Sequence, residues 1–297
     1  MSTLTSAVPG TASPVSPAGR PRRRSGSGRR WLFTLAVGAI ALLVNIPLFN
    51  AILVSFKPNG EIAQNPLGLP ASPTLDHYAN VLYGSGYDFP RFFLNSTLIA
   101  LGTVLLVLVI AIPATYAIIR LGFGGSFILN AASGLRLLPA IFFIVPFFLL
   151  FSLLGLQDTI QGLIAANAFL NLPLAVILLA SGLRDIPLEI EEAASVDGAG
   201  VLRTLLSVVT PMLAPTIVAT AVLVFIFSWN DYLFALVLST TDATPVTLGA
   251  ANFVTSTGIR WGDISAASFL STLPPLVFAV FAQKYLVSGL SAGAVKG

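Results

Sequence analysis

The ionisable residues of this chain are few and unevenly placed, and their placement limits the chemistry open to it. Its 297 residues carry 12 Asp and Glu, 15 Lys and Arg, one histidine and no cysteine. Without cysteine there is no disulfide or thiol chemistry. His77 alone supplies neither a His-rich metal site nor a histidine pair, so no metal or cofactor site is expected. A phosphate-binding P-loop needs Gly-Lys followed by Ser or Thr, but the three lysines follow Phe56, Gln283 and Val295. Ser and Thr are plentiful, yet no His or Lys lies within an apolar stretch to activate one. The chain is therefore expected not to be an enzyme, and any ATP that drives it is hydrolysed elsewhere. One acid, Asp231, sits well inside an apolar stretch, in Trp229-Asn230-Asp231-Tyr232. Acids at membrane depth are expensive and often functional. Asn230 and Asp231 either hydrogen-bond a neighbouring helix or line a translocation path.

The elements that must position these residues are membrane helices. The chain is 56% hydrophobic and 9% charged, with a mean hydropathy of +0.90, whereas soluble domains are about a quarter charged. Six uncharged stretches, 31–56, 92–119, 137–157, 159–183, 204–230 and 264–283, each reach the roughly 20 residues a helix needs to cross a bilayer. Helix is the form that satisfies their backbone in hydrocarbon. Residues 1–30 are rich in Ser, Pro, Gly and Arg and predict a disordered basic tail. Arg20, Arg22, Arg23, Arg24, Arg29 and Arg30 lie directly before the first span. That position marks orientation and contact with membrane lipid, not nucleic acid. The 26-residue first span is too long for a signal peptide and reads as an uncleaved anchor.

With both termini inside, twelve basic residues lie inside and Lys57, Arg91 and Arg260 outside, in keeping with the positive-inside rule. The outer segment 57–91 reads as an irregular loop with one short helix near 75–83. A short outer turn follows near 155–158, and 241–263 is also outside. Segment 120–136 is an inner loop. The many prolines in or beside spans read as packing kinks or as hinges.

The inner loop 184–217 carries the most information. Asp185 is positioned as an N-cap and Pro187 as a first-turn residue. Glu189, Glu191 and Glu192 then occupy early turns, where acids favour the helix dipole. Asp197-Gly198 is a turn signal, with Gly198 free to take a positive φ. A second helix from about Gly200 runs into a kink at Pro211. The pattern predicts helix–turn–helix on the inner membrane face, with small Ala193 and Ala194 letting it press into another protein.

The order Glu192-Ala193-Ala194, three residues, Gly198, nine residues, Val208, Thr210-Pro211 resembles the EAA loop of the permeases of type I ABC importers, with Thr210 where that family usually has Leu. Asn95-Ser96, Trp229 to Tyr232 and the tail Gly289 to Gly297 are similar to carbohydrate permeases, in particular the six-helix subunit of maltose-type importers. The resemblance implies an all-α integral membrane bundle of six transmembrane helices in the MetI-like fold. Span one is the extra helix, residues 92–290 form the transmembrane domain with its EAA loop at 184–211, and 291–297 form a cytoplasmic tail in a bacterial cell membrane. It implies a second related permease in a heterodimer, a cytoplasmic ABC ATPase dimer and an extracytoplasmic solute-binding protein, with a carbohydrate as cargo. By the same resemblance, Glu192, Ala193, Ala194, Asp197, Gly198 and Pro211 belong to the ATPase-coupling loop. Gly293, Lys296 and Gly297 belong to an ATPase-contacting tail, and 241–263 faces the binding protein. The same architecture for a polyamine or amino acid is one alternative, an ion-coupled carrier a second.

Overall fold

The computed structural model describes residues 27–84, 88–255 and 258–294. Most of the expected N-terminal tail, and Lys296 and Gly297 of the expected ATPase-contacting tail, lie outside those residues. The chain divides into two units at Pro47/Leu48. The first contains most of helix α1 (Ser27–Ser55), in which Asn45 Nδ2 donates to the Ala41 carbonyl at 2.8 Å.

The second unit begins with two short helices, α2 (Asn59–Gln64) and α3 (Asp76–Tyr83). α3 is the helix expected near 75–83, and α2 is an addition to it. α4 (Phe89–Ile119) starts where Asp88 accepts the Arg91 N–H, with Pro90 in the first turn, where its missing N–H costs nothing. α5 (Gly125–Leu137) and α6 (Ile141–Leu153) meet at a bend of 100°. α7 (Ile160–Arg184) is capped by the Thr159 hydroxyl, which accepts the Gly162 N–H at 3.0 Å. α8 (Leu188–Val196), α9 (Val201–Thr204), a π turn (Leu205–Val209) and α10 (Thr210–Trp229) follow. Beyond α11 (Leu233–Leu238) and α12 (Val246–Gly249), the two-residue strands β1 (Val254–Thr255) and β2 (Gly258–Ile259) pair antiparallel, Val254 opposite Ile259. α13 (Trp261–Ala294) ends the described chain.

Among the described residues five helices are long and apolar enough to cross a membrane, and a sixth crossing exists if the bent α5–α6 pair is one span. The third span, expected as one helix over 137–157, has a different form. α6 has 13 residues, a rise of about 20 Å against a hydrocarbon core of about 30 Å. Pro139 explains the break, because the residue before a proline is driven out of the α region. Leu138 accordingly sits at φ −76°, ψ 126°. Segment 120–136, expected as a loop, contains α5 instead.

α4 and α7 form the central pair, and α10 packs on α4, α7 and α13. Ala100, Ala111, Ala166, Ala175 and Ala180 are buried, whereas Leu94, Leu98, Leu101, Leu105 and Val109 of α4 are exposed. Small residues bring the backbones close and large ones face outward, the pattern of helices packed in lipid. Three apolar clusters make up this packing, two of which reach toward the ends of the bundle. One gathers Leu183, Leu205, Val209 and Leu213 near α8, the other Val81, Phe89, Trp229 and Phe253 near the start of α4.

Candidate functional site

Three polar groupings interrupt this apolar body. The first is the α8 loop. α7 runs to Arg184 and Asp185 closes it, donating its N–H to the Gly182 carbonyl. The expected N-cap role of Asp185 is therefore corrected: Pro187, in extended geometry, stands at the cap position of α8, one place earlier than its expected first-turn position. The acids of α8 divide. Glu189 and Glu192 are exposed, while Glu191 is buried and its Oε1 accepts from Arg120 Nε at 2.6 Å. Arg120, at the end of α4, also donates through Nη2 to the carbonyls of Leu183 and Ile186 at 2.9 and 2.7 Å. One guanidinium thus ties α4, the end of α7 and α8 together, and its planar fork suits three acceptors.

At the far end of α8, Asp197 is the exposed C-cap and Gly198 takes φ +82°. The Gly198 N–H reaches the Ser195 carbonyl and the Ala199 N–H the Ala194 carbonyl, at 3.0 Å each. This pair of bonds is a Schellman cap, which requires the left-handed residue. The predicted helix–turn–helix is present. Its outward side carries Glu192, Ala193 and Val196, with Leu202 just beyond the turn, all exposed, and Ala194 is half-buried. An acid set among uncovered apolar side chains suits a protein partner with a basic residue beside a groove. Pro211 sits in the first turn of α10, behind the π turn, where Thr210 Oγ1 donates to the Leu205 carbonyl at 2.7 Å.

The second grouping is the break after α10. Asn230 is exposed and its Nδ2 donates to the Ile226 carbonyl of its own helix. Asp231 turns to α7, where Asn167 Nδ2 reaches its Oδ2 at 3.3 Å, and its Oδ1 accepts the Phe234 N–H at 3.4 Å, opening α11. Asn171 Nδ2 in turn donates to the Asn167 carbonyl. The two neighbours in sequence therefore part. Asp231 joins α7, α10 and α11, and Asn230 does not.

The third grouping was not legible beforehand. In the turn between α6 and α7, Asp158 accepts the N–H groups of Thr240, Thr241, Asp242 and Ala243 at 2.9–3.1 Å and the Thr240 hydroxyl at 2.8 Å. Burial opposes its ionisation, but the converging N–H donors of Asp242, Thr240, Ala243 and Thr241 outweigh it and hold the carboxyl well below the usual range. From α4, Asn95 Nδ2 donates to the carbonyls of Asp242 and Thr244, and Ser96 Oγ accepts the Val246 N–H at 2.8 Å. Nearby, His77 is buried between Asp263 at 2.7 Å and the Lys57 carbonyl at 2.8 Å, and Arg260 meets the other Asp263 oxygen at 2.5 Å. Gly293 falls within α13.

The fold and site define a polytopic helical membrane protein with an exposed acidic helix–turn–helix between its long apolar helices. The profile of the family described as binding-protein-dependent transport system inner membrane component matches residues 120–292, and the chain belongs to that family. It is 37% identical over 269 residues to the trehalose/maltose transport system permease protein MalG of Thermococcus litoralis, covering 89% of this chain and 96% of that one. It is likewise 37% identical over 272 residues to the trehalose transport system permease protein SugB of Mycobacterium tuberculosis, covering 90% and 96%. The fold matches a chain of a bacterial ABC transporter involved in the import of the acidic polysaccharide alginate, at a TM-score of 0.74 and 23% identity, covering 91% and 99%.

Proposed function

We propose that this permease subunit imports a carbohydrate as one half of a heterodimeric ABC importer, and that α8 is the element through which a separate ATPase dimer drives it. The observation that carries the coupling role is the division of labour on α8: Glu191 is buried and anchored by Arg120, leaving Glu192, Ala193 and Val196 uncovered. A helix held from behind and bare in front can pass a push into the bundle. Carbohydrate as cargo is supported by the trehalose and maltose systems in which the relatives named above serve. ATP hydrolysis on another chain is supported by the missing P-loop lysine. The bias of basic residues supports an orientation in the membrane of a bacterial cell with α8 and both termini cytoplasmic and the Asp158 turn outside, where a solute-binding protein delivers the cargo. On this reading residues 92–290 are the transmembrane domain and Gly293, Lys296 and Gly297 lie toward the ATPase. The ATPase must bind one state of the pair more tightly than the other, since equal affinity shifts nothing.

The test is uptake by vesicles holding the reconstituted complex, with ATP inside and ion gradients collapsed. Uptake that persists, and that Glu192→Lys abolishes together with co-purification of the ATPase, is the expected result. Uptake that fails when the proton gradient is dissipated at constant ATP would instead identify an ion-coupled carrier.

A further inference from the structure

Segment 239–245, between α11 and α12, has no regular structure, and Thr240, Thr241 and Asp242 within it are exposed. A bare loop of this kind is ordinarily mobile. Here its main chain is bonded to side chains from elsewhere: the Asp242 and Thr244 carbonyls to Asn95, the N–H groups of Thr240 to Ala243 to Asp158. The Asp158 N–H also donates to the Leu238 carbonyl at 2.7 Å. Successive N–H groups converging on one point make an anion-binding nest, and the anion in this nest is part of the chain.

We propose that Asp158 is a positioning residue, a built-in anion that fills the 240–243 nest and so presents Thr240, Thr241 and Asp242 as a rigid platform to the solute-binding partner. The platform's role rests on the importer reading above. The filling of the nest rests on geometry alone. Asp158 takes φ +51°, a left-handed conformation that residues other than glycine adopt rarely and that needs surrounding bonds to hold it. The carboxyl stays ionised because the N–H donors outweigh its partial burial. A neutral amide here would turn N–H against N–H. Asn95 and Arg91 approach the same segment from α4, the latter pairing with Asp242 at 2.6 Å, so the segment is gripped from two sides, and among the described residues only Asp158 supplies charge to its main-chain N–H groups.

The experiment uses the assembled complex carrying Asp158→Gly. Glycine takes the left-handed conformation freely, so the variant removes the anion and keeps the backbone. Amide exchange over 240–243 and the affinity for the solute-binding protein are measured with and without added formate, a free carboxylate small enough for the nest. Exchange about tenfold faster and binding about tenfold weaker are expected, equivalent to ~1.4 kcal/mol each, with formate returning both toward the original values. Exchange that stays slow without the carboxylate, or that rises and ignores formate, overturns the anion role. Affinity that stays unchanged while exchange rises and recovers overturns the platform role. If the unaltered complex does not bind a solute-binding protein at all, the importer reading fails, and the exchange arm still decides whether the nest is filled by Asp158. Should Asp158→Gly not assemble, Asp158→Asn is expected to show the same fast exchange, and slow exchange in that variant overturns the proposal.

Discussion

The α8 end and the Asp158 end of this bundle differ in how their acids are tied into the fold: by one ion pair at α8, by a nest of main-chain N–H groups and a buried histidine at the other. At the Asp158 end two acids are consumed by the fold, Asp158 filling the 240–243 nest and Asp263 buried between His77 and Arg260, while Asp242 stays exposed. At the α8 end one acid, Glu191, is consumed, while Glu189, Glu192 and Asp197 stay exposed. Buried charge must be paired and hydrogen-bonded, and it then fixes a single geometry. Exposed charge fixes nothing within the chain and is free for a partner. The contrast separates the acids that hold this chain together from those left uncovered on its surface.

Removing an anchor should have the largest effect on stability. Arg120→Ala leaves Glu191 buried with its charge uncompensated, at a cost of about 3–5 kcal/mol, and frees the Leu183 and Ile186 carbonyls. Thermal unfolding in detergent measures this against Arg91→Ala, whose exposed pair with Asp242 contributes about 0–1 kcal/mol. Equal losses in the two variants would dissolve the distinction between anchored and exposed pairs. The double change of Arg120→Met with Glu191→Leu should recover most of the loss, because no charge is left stranded.

A smaller cost is expected at the opposite end. A Cβ on Gly262 runs into the His77 ring, so Gly262→Ala must displace a buried, doubly bonded imidazole, at about 1–3 kcal/mol for overpacking. An unchanged unfolding midpoint would mean that the ring is not held as described. Smaller again is Gly198→Val. The space around Gly198 is open, so the cost is conformational only, about 1–2 kcal/mol, and Gly198→Asn should recover part of it because Asn tolerates the left-handed region. Stability is expected to respond least to Glu192→Lys, within about 0.5 kcal/mol, although transport is lost. A drop in stability as large as that of Arg120→Ala would show that Glu192 serves the fold after all.

What could be read in advance was what is local. The turn at Asp197-Gly198, the exposure of Glu192 and the short helix at α3 depend on residues within one or two turns of each other, and composition reports them. The partners of the buried acids were beyond reach, since Arg120 and Glu191 are 71 positions apart and Asp158 and Thr240 are 82. Glu191 reads as one more dipole-favouring acid until α4 and α7 are packed. Asp185 was misplaced because α7 runs on through Arg184, so that Asp185 closes α7 and α8 starts only after Pro187. The bend between α5 and α6 escaped because hydropathy averages over Pro139 and does not register direction. Likewise Asn95-Ser96, noted for its likeness to carbohydrate permeases, gains a physical role only once 242–246 lies beside it.

The π turn at Leu205–Val209 has a mechanical consequence. A π turn winds more residues into each turn than the α-helix on either side, and Pro211 just beyond it contributes no N–H. Leu205 takes up the slack with one carbonyl that receives both the Thr210 N–H and the Thr210 hydroxyl. From α9 to Trp229 the chain is therefore one helical run with a single wider turn near its start. A torque applied at α8 would meet this wider turn before the regular length of α10. Replacing Thr210 by an aliphatic residue removes one of the two bonds that tension the joint.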